Sequence, residues 1–293
     1  MPHDSYMIKI QCSDKQKLHF ICNLLNKSQQ QLPIFQEYYF FDTLLSTQDF
    51  ASNLYKNTET KFPVFILSAS QTGGRGRRGS SWASPRGGVW MSMMFESELE
   101  TSELFTFLIL AALIVSEAVE SQVGITPQIK WPNDLLIGGR KFAGILMDTD
   151  VETGKLTKVT IGIGINSNND LEITRNQILD KSTLKPAITT LRSAFDGQQI
   201  NNFELVSFIL HKFSNLVPKL NSKLFRDELR YLFKRKIEDS ASTLSYRFKT
   251  KNNEFAGEIV LVNDDGSILV RNLDEPRSNT LVRIDSVFDT SMG

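Results

Sequence analysis

The chain lacks a net charge. Its 33 lysine and arginine residues balance 33 aspartate and glutamate residues over 293 positions. A protein that binds nucleic acid as its main task needs a positive field to attract phosphate groups. The composition therefore argues against nucleic acid as the principal partner.

Cysteine is scarce as well. The two cysteines, Cys12 and Cys22, lie close together near the N-terminus, and two thiols do not make a disulfide framework. His19 lies between them, which raises the idea of a metal site, but a fourth ligand is not apparent. The pattern favours two small buried thiols on a helix and a reducing compartment.

Long hydrophobic runs are also missing. The longest run, residues 104–115, is flanked by Glu103 and Glu117 and is too short to span a bilayer, so it predicts a buried helix. The N-terminus contains neither the apolar segment of a secretory signal nor an arginine-rich amphipathic stretch. These absences predict a soluble, cytoplasmic protein without a membrane partner.

The sequence does contain a run of glycine and arginine at residues 71–82. Four glycines and three arginines precede Trp82, between two apolar stretches that predict strands. Glycine permits close approach of the backbone, and arginine offers forked donors to phosphate and carboxylate. By themselves these residues fit a mobile anion-binding flap, an RNA-binding segment of the Arg-Gly type, or a solvated basic turn.

At two other places, polar side chains stand at the predicted end of a helix or strand. Ser46 and Asp49 have the spacing of a capping box before a predicted helix, although the same helix N-terminus also offers N–H groups to a ligand. Lys130, Asp134 and Lys141 surround a predicted hairpin turn. Such charges usually form a surface ion-pair cluster, but Asp134 stands among apolar residues, which is unusual for a solvated charge.

The remaining pattern indicates an α+β protein with a small all-β end. An entry segment holds a predicted strand at 7–10 and a polar helix at 14–31. Predicted strands follow at 37–41, 62–69, 89–95, 128–137 (interrupted at Pro132), 140–147 and 158–165. Predicted helices occupy 47–57, 103–122, 203–220 and 225–237, with an irregular segment at 168–199. After residue 240, four short strands predict a small barrel.

Five motifs, in this order, resemble the signatures of biotin protein ligases. The motifs are Ser46-Thr47-Gln48, which stands where the family has Ser-Thr-Asn, the loop 74–79 with Trp82 after it, and the segments 130–135, 141–146 and 161–166. They cover roughly residues 36–170. The resemblance implies a class II synthetase-like catalytic domain at 36–240, with a mixed, mostly antiparallel sheet and helices on one side. It also implies an N-terminal extension at 1–35 and an SH3-like β-barrel at 241–293.

The resemblance implies a two-step reaction. Biotin and ATP with Mg²⁺ form biotinyl-5′-AMP, and a lysine of a biotin carboxyl carrier domain of a biotin-dependent carboxylase then takes the biotin. A lipoate or octanoate ligase of the same fold is the alternative, and the 130–134 signature argues against it. No DNA-binding domain of the repressor type is apparent, so transcriptional control is not expected. An exposed strand beside the catalytic hairpin offers a route to a homodimer.

Site residues follow from the matched motifs. Lys141 and Arg77 are the expected catalytic cations, and Asp134 is the expected base and a candidate Mg²⁺ ligand. The expected substrate-binding residues are Ser46, Thr47, Gln48, Gln71, Gly74, Arg75, Gly76, Trp82, Lys130, Asn133, Gly144 and Asn166. Ser46, Thr47 and Gln71 are assigned to the ureido end of biotin and Arg75 to phosphate, and Trp82 either covers the ligand or belongs to the core. Ser80 replaces a basic residue that often follows the loop, which removes one phosphate contact.

Overall fold

The computed structural model describes residues 7–11, 35–54, 60–177, 187–241, 246–249, 254–263, 265–275 and 281–285. The predicted helix at 14–31, with Cys12, His19 and Cys22, lies outside these residues. The described residues form an eight-stranded sheet, a four-stranded sheet and helices packed against them.

The main sheet has the spatial order β1-β2-β3-β4-β8-β7-β6-β5. β1 pairs with β2 and β2 with β3 in parallel, and all other neighbours are antiparallel. The prediction of a mixed, mostly antiparallel sheet is therefore confirmed. The strands are β1 (Met7–Gln11), β2 (Glu37–Phe41), β3 (Val64–Ser68), β4 (Val89–Glu96), β5 (Gln128–Lys130), β6 (Asp134–Ile137), β7 (Arg140–Glu152) and β8 (Lys155–Ile165).

Two tight connections set the register around the predicted motifs. Gly138 and Gly139 both have positive φ and join β6 to β7 in a short hairpin, as their sequence predicts. The turn before β8 uses Thr153 and Gly154, again with positive φ. β7 and β8 run several residues beyond the predicted strands, because they pair with each other along most of their length.

The helices of the structure are α1 (Thr47–Leu54), α2 (Leu104–Val123), α3 (Leu171–Gln177), α4 (Leu191–Ala194), α5 (Asn202–Leu216) and α6 (Lys223–Ala241). Short 3-10 turns occur at Arg77–Gly79, Thr101–Glu103 and Val217–Asn221. α2 is apolar on nearly all sides because it is enclosed by the sheet, α5 and α6. By length and composition the stretch 101–123 could cross a bilayer, but 78% of its most apolar window is buried inside the protein. The prediction of a buried core helix is confirmed.

Helices do not lie on only one side of the sheet, so that part of the prediction is wrong. α2, α5 and α6 cover one face, whereas α1 packs on the opposite face against Tyr39, Phe41 and Ile66. Every residue of β2 is buried, because alternate side chains of the strand enter two different cores. An uninterrupted apolar run does not show which face is covered, so the sequence could not place α1.

Four strands form a second, antiparallel sheet with the order β12-β11-β10-β9. They are β9 (Tyr246–Lys249), β10 (Glu254–Val262), β11 (Ile268–Asn272) and β12 (Leu281–Ile284). This sheet contacts α6, and buried residues from it join the main core. The four strands predicted after residue 240 are therefore present.

Candidate active site

A cavity of about 370 Å³ opens on the face of the main sheet that carries α1. Its walls come from the N-terminus of α1, the glycine-arginine loop (residues 71–82), β4, the β6–β7 hairpin and the end of β8. The lining residues from these segments include Ser46, Thr47, Gln48, Gln71, Arg75, Gly76, Arg77, Trp82, Met91, Ser92, Asn133, Asp134, Lys141, Gly144, Ile145, Gly162, Ile163, Gly164 and Asn166. Motifs up to about 120 residues apart therefore meet at one place.

Glycines inside the strands make room for the floor of the cavity. A Cβ atom on Gly164 would lie 2.5 Å from Nε1 of Trp82, and one on Gly144 would lie 2.8 Å from the same indole. Trp82 therefore lies directly against the backbones of β7 and β8, which explains glycine at positions where it weakens a strand. Its Nε1 is buried without a hydrogen-bond partner among the described residues, so a ligand acceptor beside the indole would satisfy it.

One end of the cavity is a network of neutral polar side chains. Oε1 of Gln71 accepts hydrogen bonds from the backbone N–H of Thr47 at 2.7 Å and from its hydroxyl at 3.1 Å. Nε2 of Gln71 donates to Ser84. Ser92 Oγ lies 2.8 Å from Thr47 Oγ1 and 3.0 Å from Oε1 of Gln48. This end offers both donors and acceptors without a formal charge.

Ser46 combines the two functions that the sequence left open. Its Oγ accepts a hydrogen bond from the backbone N–H of Asp49 at 3.3 Å, so it caps α1, and Ser46 also lines the cavity. The second half of the predicted capping box would be a hydrogen bond from the backbone N–H of Ser46 to the carboxylate of Asp49. It is absent from the contacts of Asp49. The carboxylate of Asp49 instead accepts a hydrogen bond from Arg75.

The other end of the cavity carries charge. Nζ of Lys141 lies 2.6 Å from Oδ1 of Asp134 and 4.8 Å from the centre of the Trp82 ring. The register brings this pair together, because Asp134 is opposite Gly144, where no side chain blocks the lysine. The ion pair is partly buried, with side chains 17% and 25% exposed, so water screens it less than a surface pair.

Arg77 reaches the charged end from the glycine-arginine loop. Its Nη1 donates to Oδ1 of Asn133 at 2.9 Å, and Nδ2 of Asn133 donates to the carbonyl of Ile145 at 2.8 Å. Asn133 therefore anchors the arginine to β7. Asn166 is held nearby, since its Oδ1 accepts a hydrogen bond from Asn169.

Two predicted site residues do not line the cavity. Lys130 is paired with Asp134 in the backbone register of β5 and β6, outside the lining. Gly74 shapes the loop instead, because a Cβ there would lie 2.4 Å from the carbonyl oxygen of Trp82.

Sequence reasoning also missed lining residues. Ser92 had a signal, as a lone hydroxyl in an apolar strand. Thr174 and Ile188 also line the cavity, but they come from the segment that reads only as a polar, irregular loop. Nothing local in that segment points to a ligand site.

Comparison with known proteins identifies the class. The model of the "Biotin/lipoate A/B protein ligase family" matches residues 40–166. The bifunctional ligase/repressor BirA of Bacillus subtilis is 33% identical over 241 residues, which are 80% of this chain and 69% of that protein. A biotin--[acetyl-CoA-carboxylase] ligase of Paracoccus denitrificans is 33% identical over 105 residues, covering 35% of this chain and 44% of its own.

A solved structure shares the fold. The biotin protein ligase of Aquifex aeolicus, in complex with biotin and ATP, superposes with a TM-score of 0.64 at 24% identity. The match covers 87% of this chain and 97% of that one. At this identity the likeness establishes the α+β fold.

The chain belongs to the biotin/lipoate A/B protein ligase family. Within this family it groups with the biotin protein ligases, which are ATP-dependent enzymes, and this grouping favours biotin over lipoate or octanoate.

Proposed function

We propose that the cavity joins biotin to AMP and then transfers biotin to a lysine of a carrier protein. The observation that carries this proposal is the meeting of an uncharged polar end with a charged end in a single cavity. Biotin has a polar ureido group at one end and a carboxylate at the other. It therefore needs an uncharged polar end and a charged end within the same cavity. ATP reaches the same carboxylate from the charged end.

The uncharged end suits the ureido group of biotin. Thr47 and Gln71 present the donors and acceptors, with Ser46 beside them. Leu146, which lies on the same face of β7 as Gly144, and the indole of Trp82 supply apolar surface for the bicyclic ring. The unpartnered Nε1 of Trp82 offers one more donor to the bound ligand.

Adenylation takes place at the charged end. A carboxylate oxygen of biotin attacks the α-phosphorus of ATP, the bond to the β-phosphate oxygen breaks, and pyrophosphate leaves. Negative charge grows on phosphate oxygens, which fixed cations stabilise. Lys141 and Arg77 supply these cations, held by Asp134 and Asn133 respectively. Gly144 and Asn166 line the cavity beside this charged end, where the adenylate would lie.

Transfer requires a neutral amine from the acceptor. The ε-amine of the acceptor lysine attacks the acyl carbon of the mixed anhydride, an amide bond forms, and AMP leaves. An unperturbed lysine is protonated at neutral pH, so a base must take its proton. The carboxylate of Asp134 lies at the charged end of the cavity, where this anhydride forms.

Magnesium fits this site as a companion of ATP. No group of three or more His, Cys, Asp or Glu side chains forms a metal cluster in the described parts of the chain. Mg²⁺ in nucleotide sites is held by one or two carboxylates together with phosphate oxygens, and Asp134 provides one such carboxylate. The ion would neutralise phosphate charge there.

The acceptor is proposed to be a biotin carboxyl carrier domain of a biotin-dependent carboxylase. The name of the Paracoccus relative, which specifies acetyl-CoA carboxylase, supports this class of acceptor. We also propose that β9–β12 belong to an SH3-like barrel at 241–293, following a catalytic domain at 36–240 and an extension at 1–35. The antiparallel order of the four strands supports the barrel. The homodimer and the cytoplasmic location stay predictions.

Pyrophosphate exchange tests the proposed function. The purified chain is incubated with ATP and labelled pyrophosphate, with biotin, lipoate or octanoate in parallel. Biotin-dependent formation of labelled ATP is expected. Exchange only with lipoate or octanoate would overturn the choice of substrate, and exchange with none of the acids would overturn the activity.

A further inference from the structure

Arg75 of the glycine-arginine loop is paired with two carboxylates. Its Nη1 lies 3.0 Å from Oδ1 of Asp49 on α1 and 3.0 Å from Oδ2 of Asp148 on β7. Both α1 and β7 contribute lining residues to the cavity. One guanidinium therefore joins the loop to both elements.

Asp148 also holds Gln48, the residue that departs from the family motif. Oδ2 of Asp148 accepts a hydrogen bond from Nε2 of Gln48 at 3.1 Å, and the same Nε2 donates to the carbonyl of Thr160 at 3.2 Å. Gln48 passes over Gly162, where a Cβ would lie 2.6 Å from its Oε1. Glutamine is one methylene longer than the asparagine of the family, and this length extends its amide toward β7.

The contacts form a continuous chain from the loop to the uncharged end. Arg75 contacts Asp148, Asp148 contacts Gln48, and Gln48 contacts Ser92, which in turn contacts Thr47. Each link is a direct hydrogen-bond contact within normal distance. The position of the loop is thereby linked to the residues proposed to bind the ureido group.

We propose that Arg75 is a positioning residue that holds the glycine-arginine loop closed, with Asp49 and Asp148 as its partners, and that it does not bind phosphate. Two carboxylates offset one guanidinium charge, so an approaching phosphate gains little attraction and meets two anions. Lys141 and Arg77 then remain as the cations for adenylation. This inference rests on the proposed function and reassigns one residue within it.

The test compares Arg75→Met, Asp148→Asn and the double variant with the wild type. Methionine keeps the aliphatic volume of arginine, and asparagine keeps an acceptor for Gln48. Glu258→Gln is the matched control, because it removes a partly exposed carboxylate of a 2.8 Å arginine pair in the C-terminal sheet. Hydrogen exchange of residues 73–82 is measured without ligand. The adenylation rate, the KM for ATP and the dissociation rate of preformed biotinyl-5′-AMP are then measured.

A closing contact has a distinct signature. Each single variant should speed both amide exchange in the loop and adenylate dissociation by about tenfold, which is about 1.4 kcal/mol, and the double variant should add little. The KM for ATP should differ from the wild-type value by less than about twofold. This limit is well below the tenfold change expected for loop exchange and adenylate dissociation.

Other outcomes would overturn the inference. A raised KM for ATP in Arg75→Met, with unchanged loop exchange, would assign Arg75 to phosphate. Additive effects of the two substitutions would show that they do not act through one contact. Loop exchange is measured without biotin or ATP, so it tests the Arg75 contact even if the wild type is inactive. An inactive wild type would count against the proposed function alone.

Discussion

At the scale of single residues, the proposed mechanism divides the chemistry between Lys141 and Asp134. They contact each other at 2.6 Å in a partly buried place beside Trp82. In the proposed mechanism the lysine stabilises charge that develops on phosphate, whereas the aspartate takes a proton in the later step. Substitution of each residue should therefore affect a different half-reaction.

Lys141→Ala should lower biotin-dependent pyrophosphate exchange by about 10²–10³, the usual cost of losing one fixed stabiliser of transition-state charge. Circular dichroism and the thermal midpoint should remain close to those of the wild type, because the side chain lies at the cavity rather than in the core. Lys155→Ala, at an exposed position of β8, is the control. Normal exchange by a folded Lys141→Ala protein would remove the lysine from the mechanism.

Asp134→Asn should impair transfer more than adenylation, because asparagine keeps the shape but cannot accept the proton of the attacking amine. Single-turnover transfer from preformed adenylate to a carrier domain measures one step, and pyrophosphate exchange measures the other. A decrease of about tenfold or more in transfer beyond that in adenylation is expected. Equal loss in both steps would instead favour a structural or metal-binding role.

At the scale of elements, the C-terminal sheet supports the β5–β6 connection. Nε1 of Trp131 donates to the carbonyl of Gly266 in the β10–β11 turn at 2.9 Å, and Gly266 also packs against Phe105 of α2. Asp265 braces this turn. Burial alone would raise the pKa of Asp265, but hydrogen bonds from Ser267 and the ion pair with Arg283 hold the pKa below its usual value. Asn133 and Asp134 follow Trp131 by only two and three residues, so the turn supports the site from outside.

Trp131→Phe should lower the adenylation rate by about tenfold, equivalent to about 1.4 kcal/mol. Phenylalanine keeps most of the packing and removes the N–H donor, so the carbonyl of Gly266 loses its partner and the connection loosens. Pyrophosphate exchange at saturating biotin and ATP measures the effect, and the thermal midpoint checks folding. A wild-type rate would show that the second sheet does not position Asn133 and Asp134.

At the scale of the whole molecule, the two sheets share one hydrophobic core. The same buried cluster contains Phe142 and Ile163 of the main sheet, Phe233 of α6, and Ile268 and Val270 of the second sheet. The proposed boundary near residue 240 therefore divides the chain between two sheets, but both sheets pack around the same hydrophobic core. Such a molecule should unfold as one cooperative unit.

Ile268→Ala tests this expectation. Ile268 is fully buried in β11, and truncation of such a side chain costs about 2–5 kcal/mol. All three tryptophans, at positions 82, 90 and 131, lie outside the second sheet. Their fluorescence transition in urea should move by the same free energy as the circular dichroism transition. A shift confined to circular dichroism would mean that the two sheets unfold separately.

Local signals in the sequence determined most elements of this fold. The turn at Gly138-Gly139, the strands on either side of Pro132 and the apolar helix α2 occur where they were predicted. Turn residues and hydrophobic periodicity act over a few neighbouring positions, so one sequence contains them in full. The order of five motifs also indicated the family, because each motif is a short contiguous segment.

Tertiary structure alone decided which of these segments touch. The face chosen by α1, the contact of Trp82 with Gly144 and Gly164, and the pairing of Arg75 with Asp148 all depend on sheet order and register. Arg75 and Asp148 are 73 residues apart in the chain, and no local periodicity relates them. The sequence by itself therefore determined the elements and the chemistry available to them, and only the packing of distant strands determined which side chains act together.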